Sequence, residues 1–260
     1  MVKNILIINI GIFLIQRLFN IELAWLFGVH YFHSDYFYVF QYVTYMWLHS
    51  LATFWHVLGN MFAVFIFGPM LERVWGSRKF LFFYLATGVG AGLLYGVADF
   101  VENQSIERDT AAFVANPNAD DFEIFIQNHT ENFRFEYRER YFEWADLYFS
   151  NPSDPTLAKQ AVGYIKQIYL AQTNGPMVGA SGAVFGILMA FAMLFPNVQL
   201  MLLFPPIPVK AKYLVFFYGA FELYSEINRT GGDNVAHFAH LSGMLVAFLM
   251  LRYWPKMWRG

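Results

Sequence analysis

Gly179-Ala180-Ser181-Gly182-Ala183-Val184-Phe185-Gly186 opens an apolar stretch that runs to Phe195, and its one hydroxyl sits between glycines. After one further apolar segment comes Ala239-His240-Leu241-Ser242-Gly243. A nucleophile and a base, both set within hydrophobic sequence, imply chemistry done inside a membrane, where polar side chains are costly and mark functional sites by default.

The composition agrees with that setting. Of the 260 residues, 57% are hydrophobic, 20% aromatic and only 14% charged, too apolar for an ordinary soluble domain of this length. The chain reads as a polytopic membrane protein. It contains no cysteine, which removes a disulfide framework, a thiolate nucleophile and any cysteine-built metal site. A net charge of −2 carries no signal for nucleic acid, and no nucleic-acid partner is expected. The apolar run beginning at Asn4 lacks a small-residue cleavage site behind a basic leader, so it reads as a retained anchor.

Six segments are long and apolar enough to be read as spans, at 4–20, 52–71, 78–98, 179–196, 211–227 and 235–254. A spanning helix needs about 20 residues, with tolerance down to about 17. Several segments carry glycine or polar residues, which helices buried in a bundle tolerate. The fifth is the weakest, because Glu222 and Glu226 lie near its end. The fold class expected is an all-α membrane protein, a six-helix bundle forming one domain over 1–260, with a soluble acidic helical insertion at 100–173 between the third and fourth spans. Within the insertion, 120–149 interleaves aromatics with charges at helical spacing, from Phe122 and Phe125 to Trp144 and Tyr148, and Asp154-Pro155 opens a second helix. That aromatic stripe reads as packing, onto the membrane domain or between the insertion's own helices.

Charge orients the chain. The stretch 99–175 holds 13 acidic and 6 basic residues. Elsewhere Lys3, then Arg73, Arg78 and Lys79, then Lys210 and Lys212, then Arg252, Lys256 and Arg259 fall on one side of successive spans. By the excess of basic residues in cytoplasmic loops, that side is cytoplasmic and both termini lie there. The insertion, the loop 21–51 and the short loop 228–234 are then extracytoplasmic. Spans two, four and six all begin at the outer face, which brings His56, Asn60, Ser181, His237 and His240 to a similar depth. At 1.5 Å per residue, His240 lies about 8 Å inside the start of its helix, within reach of water.

Each of these residues also has a plainer reading. Gly179, Ser181, Gly182 and Gly186 can form a small-residue packing face, with Gly243 and Ala247 as its partner on the sixth span. His56 and Asn60 are i and i+4 on one helical face and can simply bond to neighbouring helices. His237 and His240, or His30 and His33, suggest a metal pair, but no carboxylate stands between them as in His-Glu-x-x-His, and no metal is expected. The glycine-flanked serine also differs from a soluble hydrolase elbow, because no strand precedes it.

Taken together, Trp55-His56-x-x-x-Asn60, Glu72-x-x-x-Gly76-Ser77-Arg78, Gly179-Ala180-Ser181-Gly182 and Ala239-His240-x-x-Gly243, on alternate spans and in this order, resemble the signature of the rhomboid intramembrane serine proteases. The resemblance covers the chain except the insertion at 100–173. It implies a six-helix bundle with Ser181 as nucleophile and His240 as general base, a dyad without the acid of soluble serine proteases. It further implies an oxyanion hole from the His56 and Asn60 side chains and the Ser181 backbone N–H, supported by Gly179, Gly182, Phe185 and Gly243. With no acid partner, the imidazole is expected to be oriented by packing, with Phe185 stacked on it. His237, His49 and Ser242 are assigned to packing or hydrogen bonding. The loop 21–51 lacks an obvious Trp-Arg pair seen in some members, and the insertion has no counterpart in the minimal core.

The function expected on this basis is a bacterial-type endopeptidase of the inner membrane, needing no cofactor, that cuts in or near transmembrane segments of protein substrates. Its active site opens to the extracytoplasmic side, and membrane lipid is its other partner. The alternative is a catalytically silent relative that binds membrane clients, although such a relative is expected to lose the serine or histidine that this chain keeps. A transporter is a third reading, weakened by the absence of repeated halves.

Overall fold

The structure, a computed structural model, describes residues 1–131, 133, 135–201, 206–228 and 236–253. In chain order the helices are α1 (Val2–Phe19), α2 (Ala24–Phe27), α3 (Gln41–Thr44), α4 (Phe54–Trp75), α5 (Ser77–Ala115), α6 (Ala119–His129), α7 (Phe135–Ser150), α8 (Pro155–Thr173) and α9 (Ser181–Leu194). The short strands β1 (Gln199–Met201) and β2 (Pro208–Lys210) follow, then α10 (Ala211–Ile227) and α11 (His237–Tyr253). Among the described residues, α1, α4 and α5 are long and apolar enough to cross a membrane, and α9 is a shorter apolar helix. The expected loop 228–234 lies outside the described residues apart from Asn228, as do Lys256 and Arg259 at the expected cytoplasmic face.

The chain forms two compact units, one from residues 1–98, 176–228 and 236–253 and the other from 99–175. In the first, α9 is the central helix, packed against α4, α10 and α11, while α1 packs on α4. Its sequence explains this: Gly182, Ala183, Gly186, Ala190 and Ala192 are small enough to let neighbours approach on several sides, and all are buried. A Cβ on Gly182 would stand 2.6 Å from that of Ala91, and one on Gly186 would stand 2.7 Å from that of Thr87. A Cβ on Gly243 would overlap the Gly182 carbonyl, so α9 and α11 meet backbone to backbone. Larger side chains fill the space around α9, among them Met46, Val64, Phe80, Phe83 and Tyr84. The opposite case is α10, which buries only Ala211, Val215 and Glu222 while Phe216, Phe217, Phe221 and Tyr224 are exposed.

The motif Glu72-x-x-x-Gly76-Ser77 closes one helix and starts the next. Gly76 ends α4 with φ of 77°, a conformation that favours glycine, and its N–H bonds to the Glu72 carbonyl at 2.8 Å. The Glu72 carboxylate accepts the Ser77 hydroxyl, the Val2 N–H at 2.9 Å and the Met1 amino group, fastening α1 to the end of α4.

The second unit has its own core. Phe122, Ile126, Tyr148, Ala161, Ile165 and Ile168 are buried where α6 packs on α7 and α8. The aromatic stripe packs among these helices: Trp144 lies edge-on to Phe122 at 4.9 Å and to Tyr164 at 5.0 Å. Asn118 caps α6 by accepting the Asp121 N–H at 2.8 Å, and Asp154 caps α8 by accepting the Thr156 N–H at 2.7 Å, with Pro155 in the first turn.

Some boundaries differ from the sequence reading. The third helix was expected to end at 98 but continues to Ala115, because 99–115 contains no glycine or proline; Pro117 then disfavours helical backbone at Asn116 and stops it. The loop 21–51 holds α2, α3 and a 3-10 turn at Tyr45–Trp47, short elements that the sequence reading did not assign. The antiparallel pair β1–β2, in the register Gln199↔Lys210, was not foreseen, because three-residue strands leave too short a pattern to read.

Candidate active site

Ser181 is the first residue of α9, so its backbone N–H is among those without an intrahelical acceptor and faces the positive end of the helix dipole. The residue before the cap, Gly179, has φ of 142°, a backbone that side chains resist. Space demands glycine there as well: a Cβ would lie 2.9 Å from His56 Nε2 and 3.5 Å from Ser181 Oγ. The serine hydroxyl and the His56 ring therefore share one small volume next to Gly179. The Gly179 N–H bonds to the Tyr45 carbonyl at 3.1 Å, and Tyr45 donates its hydroxyl to the Gly88 carbonyl at 2.7 Å, which fixes the approach to α9.

His56 lies in the first turn of α4, which Thr53 caps by accepting the Trp55 N–H at 3.3 Å. The Ser50 backbone N–H donates to His56 Nδ1 at 3.3 Å. A ring nitrogen that accepts is unprotonated, so the proton of the neutral ring sits on Nε2, the atom beside Gly179. His49 is buried edge-on to this ring at 5.2 Å, and burial, together with the neighbouring His56, pushes it down to about 3. One turn along α4, Asn60 is buried and donates one amide hydrogen to the His56 carbonyl at 3.0 Å, leaving a second for another acceptor.

His240 lies one turn before Gly243, where α11 touches α9. Its imidazole stacks on Phe185 with ring centres 4.3 Å apart and planes within 8°. Phe185 is four residues after Ser181, on the same face of α9, so the stack holds the imidazole on the face that bears the serine. Tyr218 of α10 meets the Phe185 ring edge-on at 6.4 Å.

One partner was missed from the sequence. Glu222 Oε2 accepts from His240 Nδ1 at 2.8 Å and from His237 Nδ1 at 2.6 Å, and all three side chains are buried. The expectation that packing alone orients His240 is corrected accordingly: packing and a carboxylate act together. Glu222 had been read only as a flaw in the fifth span, yet an acidic residue inside an apolar segment was itself the signal. Among the described residues, the His240 ring hydrogen-bonds to Glu222 and not to Ser181. Glu222, His237 and His240 are also a group with metal-ligand composition, offering atoms within 4.8 Å of one another, and Nδ1 of each histidine meets the carboxylate.

The Rhomboid domain profile matches residues 36–106 and 156–255, well over half of the chain. The chain belongs to the rhomboid family. With its long apolar helices, it is an integral membrane protein. A similar protein is Rhomboid-like protein 11, chloroplastic, of Arabidopsis thaliana, 35% identical over 91 residues that make up 35% of this chain and 30% of that relative. No solved structure matches the chain.

Proposed function

We propose that this protein is an intramembrane serine endopeptidase in which Ser181 attacks and His240 is the general base. The observation that carries the reading is the stack of His240 on Phe185, which sets the imidazole on the Ser181 face of α9. Six spans, with α9, α10 and α11 as the last three, both termini in the cytoplasm, an extracytoplasmic 100–173 and a bacterial inner membrane belong to the same proposal. Its substrates are proteins with transmembrane segments, presented from the lipid.

In the proposed reaction, Ser181 Oγ bonds to the scissile carbonyl carbon as its proton passes to His240 Nε2. The carbonyl oxygen becomes negative and accepts hydrogen bonds from His56 Nε2–H, Asn60 Nδ2–H and the Ser181 N–H. The C–N bond then breaks, with the proton moving from His240 to the leaving amine. Water, deprotonated by the same imidazole, attacks the acyl carbon, and the bond from that carbon to Ser181 Oγ breaks as the proton returns from His240 to Oγ. The open contact between Ser181 and His240 suits a resting site, since catalytic hydrogen bonds often tighten only around substrate.

The decisive experiment is fluorophosphonate labelling of the purified protein, with Ser181→Ala as control. Labelling of wild type but not of the variant is expected. A wild type that binds transmembrane peptides and is neither labelled nor able to cut them would establish the catalytically silent alternative.

A further inference from the structure

We infer that Glu222 is a positioning residue for the base, so that Ser181, His240 and Glu222 act as a triad whose acid comes from a different helix and is shared with His237. The inference rests on the protease reading above for its functional meaning, and on the hydrogen bonds around Glu222 for its geometry.

A neutral imidazole carries one proton and can hold it on either nitrogen. For His240 to take the serine proton, the nitrogen facing Ser181 must be the bare one. Nδ1 of His240 meets Glu222 Oε2 at 2.8 Å, and an ionised carboxylate only accepts. The bond therefore keeps the proton on Nδ1 and leaves Nε2 as the acceptor. Once Nε2 is protonated during attack, the positive ring faces the carboxylate at hydrogen-bond distance, which stabilises the charged state. Phe185 restricts the ring to one plane, and Glu222 selects the rotation within it.

His237 completes the arrangement from the helix that carries His240. Its Nδ1 reaches the same Oε2 at 2.6 Å. A carboxylate in an apolar helix needs hydrogen-bond donors to remain ionised, and two imidazole N–H groups supply them. His237 thus holds Glu222 in place for His240. Its position three residues before His240, one turn away on the same helix, permits both rings to reach one oxygen.

The test compares Glu222→Gln, Glu222→Asp, Glu222→Leu and His237→Ala with wild type in one membrane mimetic. Labelling rate, cleavage and the nitrogen-15 spectrum of histidine-labelled protein are the readouts. Glu222→Gln and Glu222→Leu are expected to lower the labelling rate and kcat by between about 10-fold and 10⁴-fold with KM little changed, the upper figure being the loss when a soluble triad histidine is left in the wrong tautomer. Glu222→Asp should recover part of the loss, and His237→Ala, which removes one of the two donors that hold Glu222, should lower the rate less than Glu222→Leu does. The spectrum should show His240 protonated on Nδ1 in wild type and a shift toward Nε2 in Glu222→Leu. Because that readout needs no turnover, it stays decisive if the protein proves inactive, and a fall in thermal stability cannot imitate it. Wild-type labelling rates in Glu222→Leu would overturn the inference while leaving the protease reading intact. A wild-type spectrum with His240 protonated on Nε2 would overturn it too, as would a stoichiometric transition metal in the purified protein that is lost in Glu222→Gln, since a metal would replace the Nδ1 proton.

Discussion

In the proposed mechanism the least replaceable groups are Ser181 and His240. Ser181→Ala removes the only atom proposed to bond to substrate, and His240→Ala removes the only proposed proton acceptor. Each is expected to lower cleavage of a transmembrane substrate by more than about 10³-fold, because members of a catalytic unit fail together. Thermal stability should change little, since each substitution removes few packed atoms; full activity in either variant would sink the assignment. His56 and Asn60 are a different case. A donor to a developing oxyanion acts mainly in the transition state, so His56→Ala and Asn60→Ala should lower kcat by about 10²-fold to 10³-fold with little change in KM. A rise in KM at constant kcat would make them substrate-positioning groups. Both variants should still label, but slowly. The sequence singles out Ser181, His240, His56 and Asn60 as polar residues within apolar segments, and the structure brings the His56 ring and the Ser181 hydroxyl together beside Gly179 and stacks His240 on Phe185. The link from Glu222 to His240 was hidden, because spacing along one helix says nothing about which side chain a second helix brings opposite.

Helices of the first unit are held by absent side chains as much as by present ones. Glycine at 182 and 243 lets α9 and α11 touch through their backbones, and a Cβ at 243 would strike the Gly182 carbonyl. Gly243→Ala is therefore expected to push the helices apart, lowering the melting temperature and, by moving His240 from Phe185, the rate. Gly11 on α1 is the control, with nothing within 4 Å of a Cβ built there. Helix propensity alone favours alanine over glycine by roughly 1 kcal/mol, so Gly11→Ala should be neutral or slightly stabilising. Equal melting temperatures for the two variants would show that the close approach contributes nothing. The sequence reading treated small-residue packing and a catalytic role as alternatives for Gly179-Ala180-Ser181-Gly182. The structure assigns packing to Gly182 and nearness to His56 to Gly179, so one motif carries both features. The path of α5 beyond 98 was hidden for another reason: its apolar character fades there, whereas its helical backbone depends only on the absence of a breaker before Pro117.

The chain as a whole combines two cores, and no residue of the proposed catalytic set comes from 99–175. Replacing 103–172 with a short flexible linker is expected to preserve fluorophosphonate labelling of Ser181, with any effect confined to cleavage of long substrates. Loss of labelling in a folded variant would show that the second unit shapes the reacting groups. Within the first unit, burial is unequal, and the inequality falls on one element in particular. The proposed nucleophile rides on α9, which neighbours enclose, whereas Glu222 rides on α10, where Phe216, Phe217, Phe221 and Tyr224 are exposed among the described residues. In the proposed topology, lipids bordering α10 would be linked through Glu222 to the proton affinity of His240 Nε2, a nitrogen they never touch. Changes of acyl-chain length or headgroup should accordingly register in such a protein as changes of maximal velocity, making the bilayer an effector of the chemical step as well as the medium through which substrate arrives.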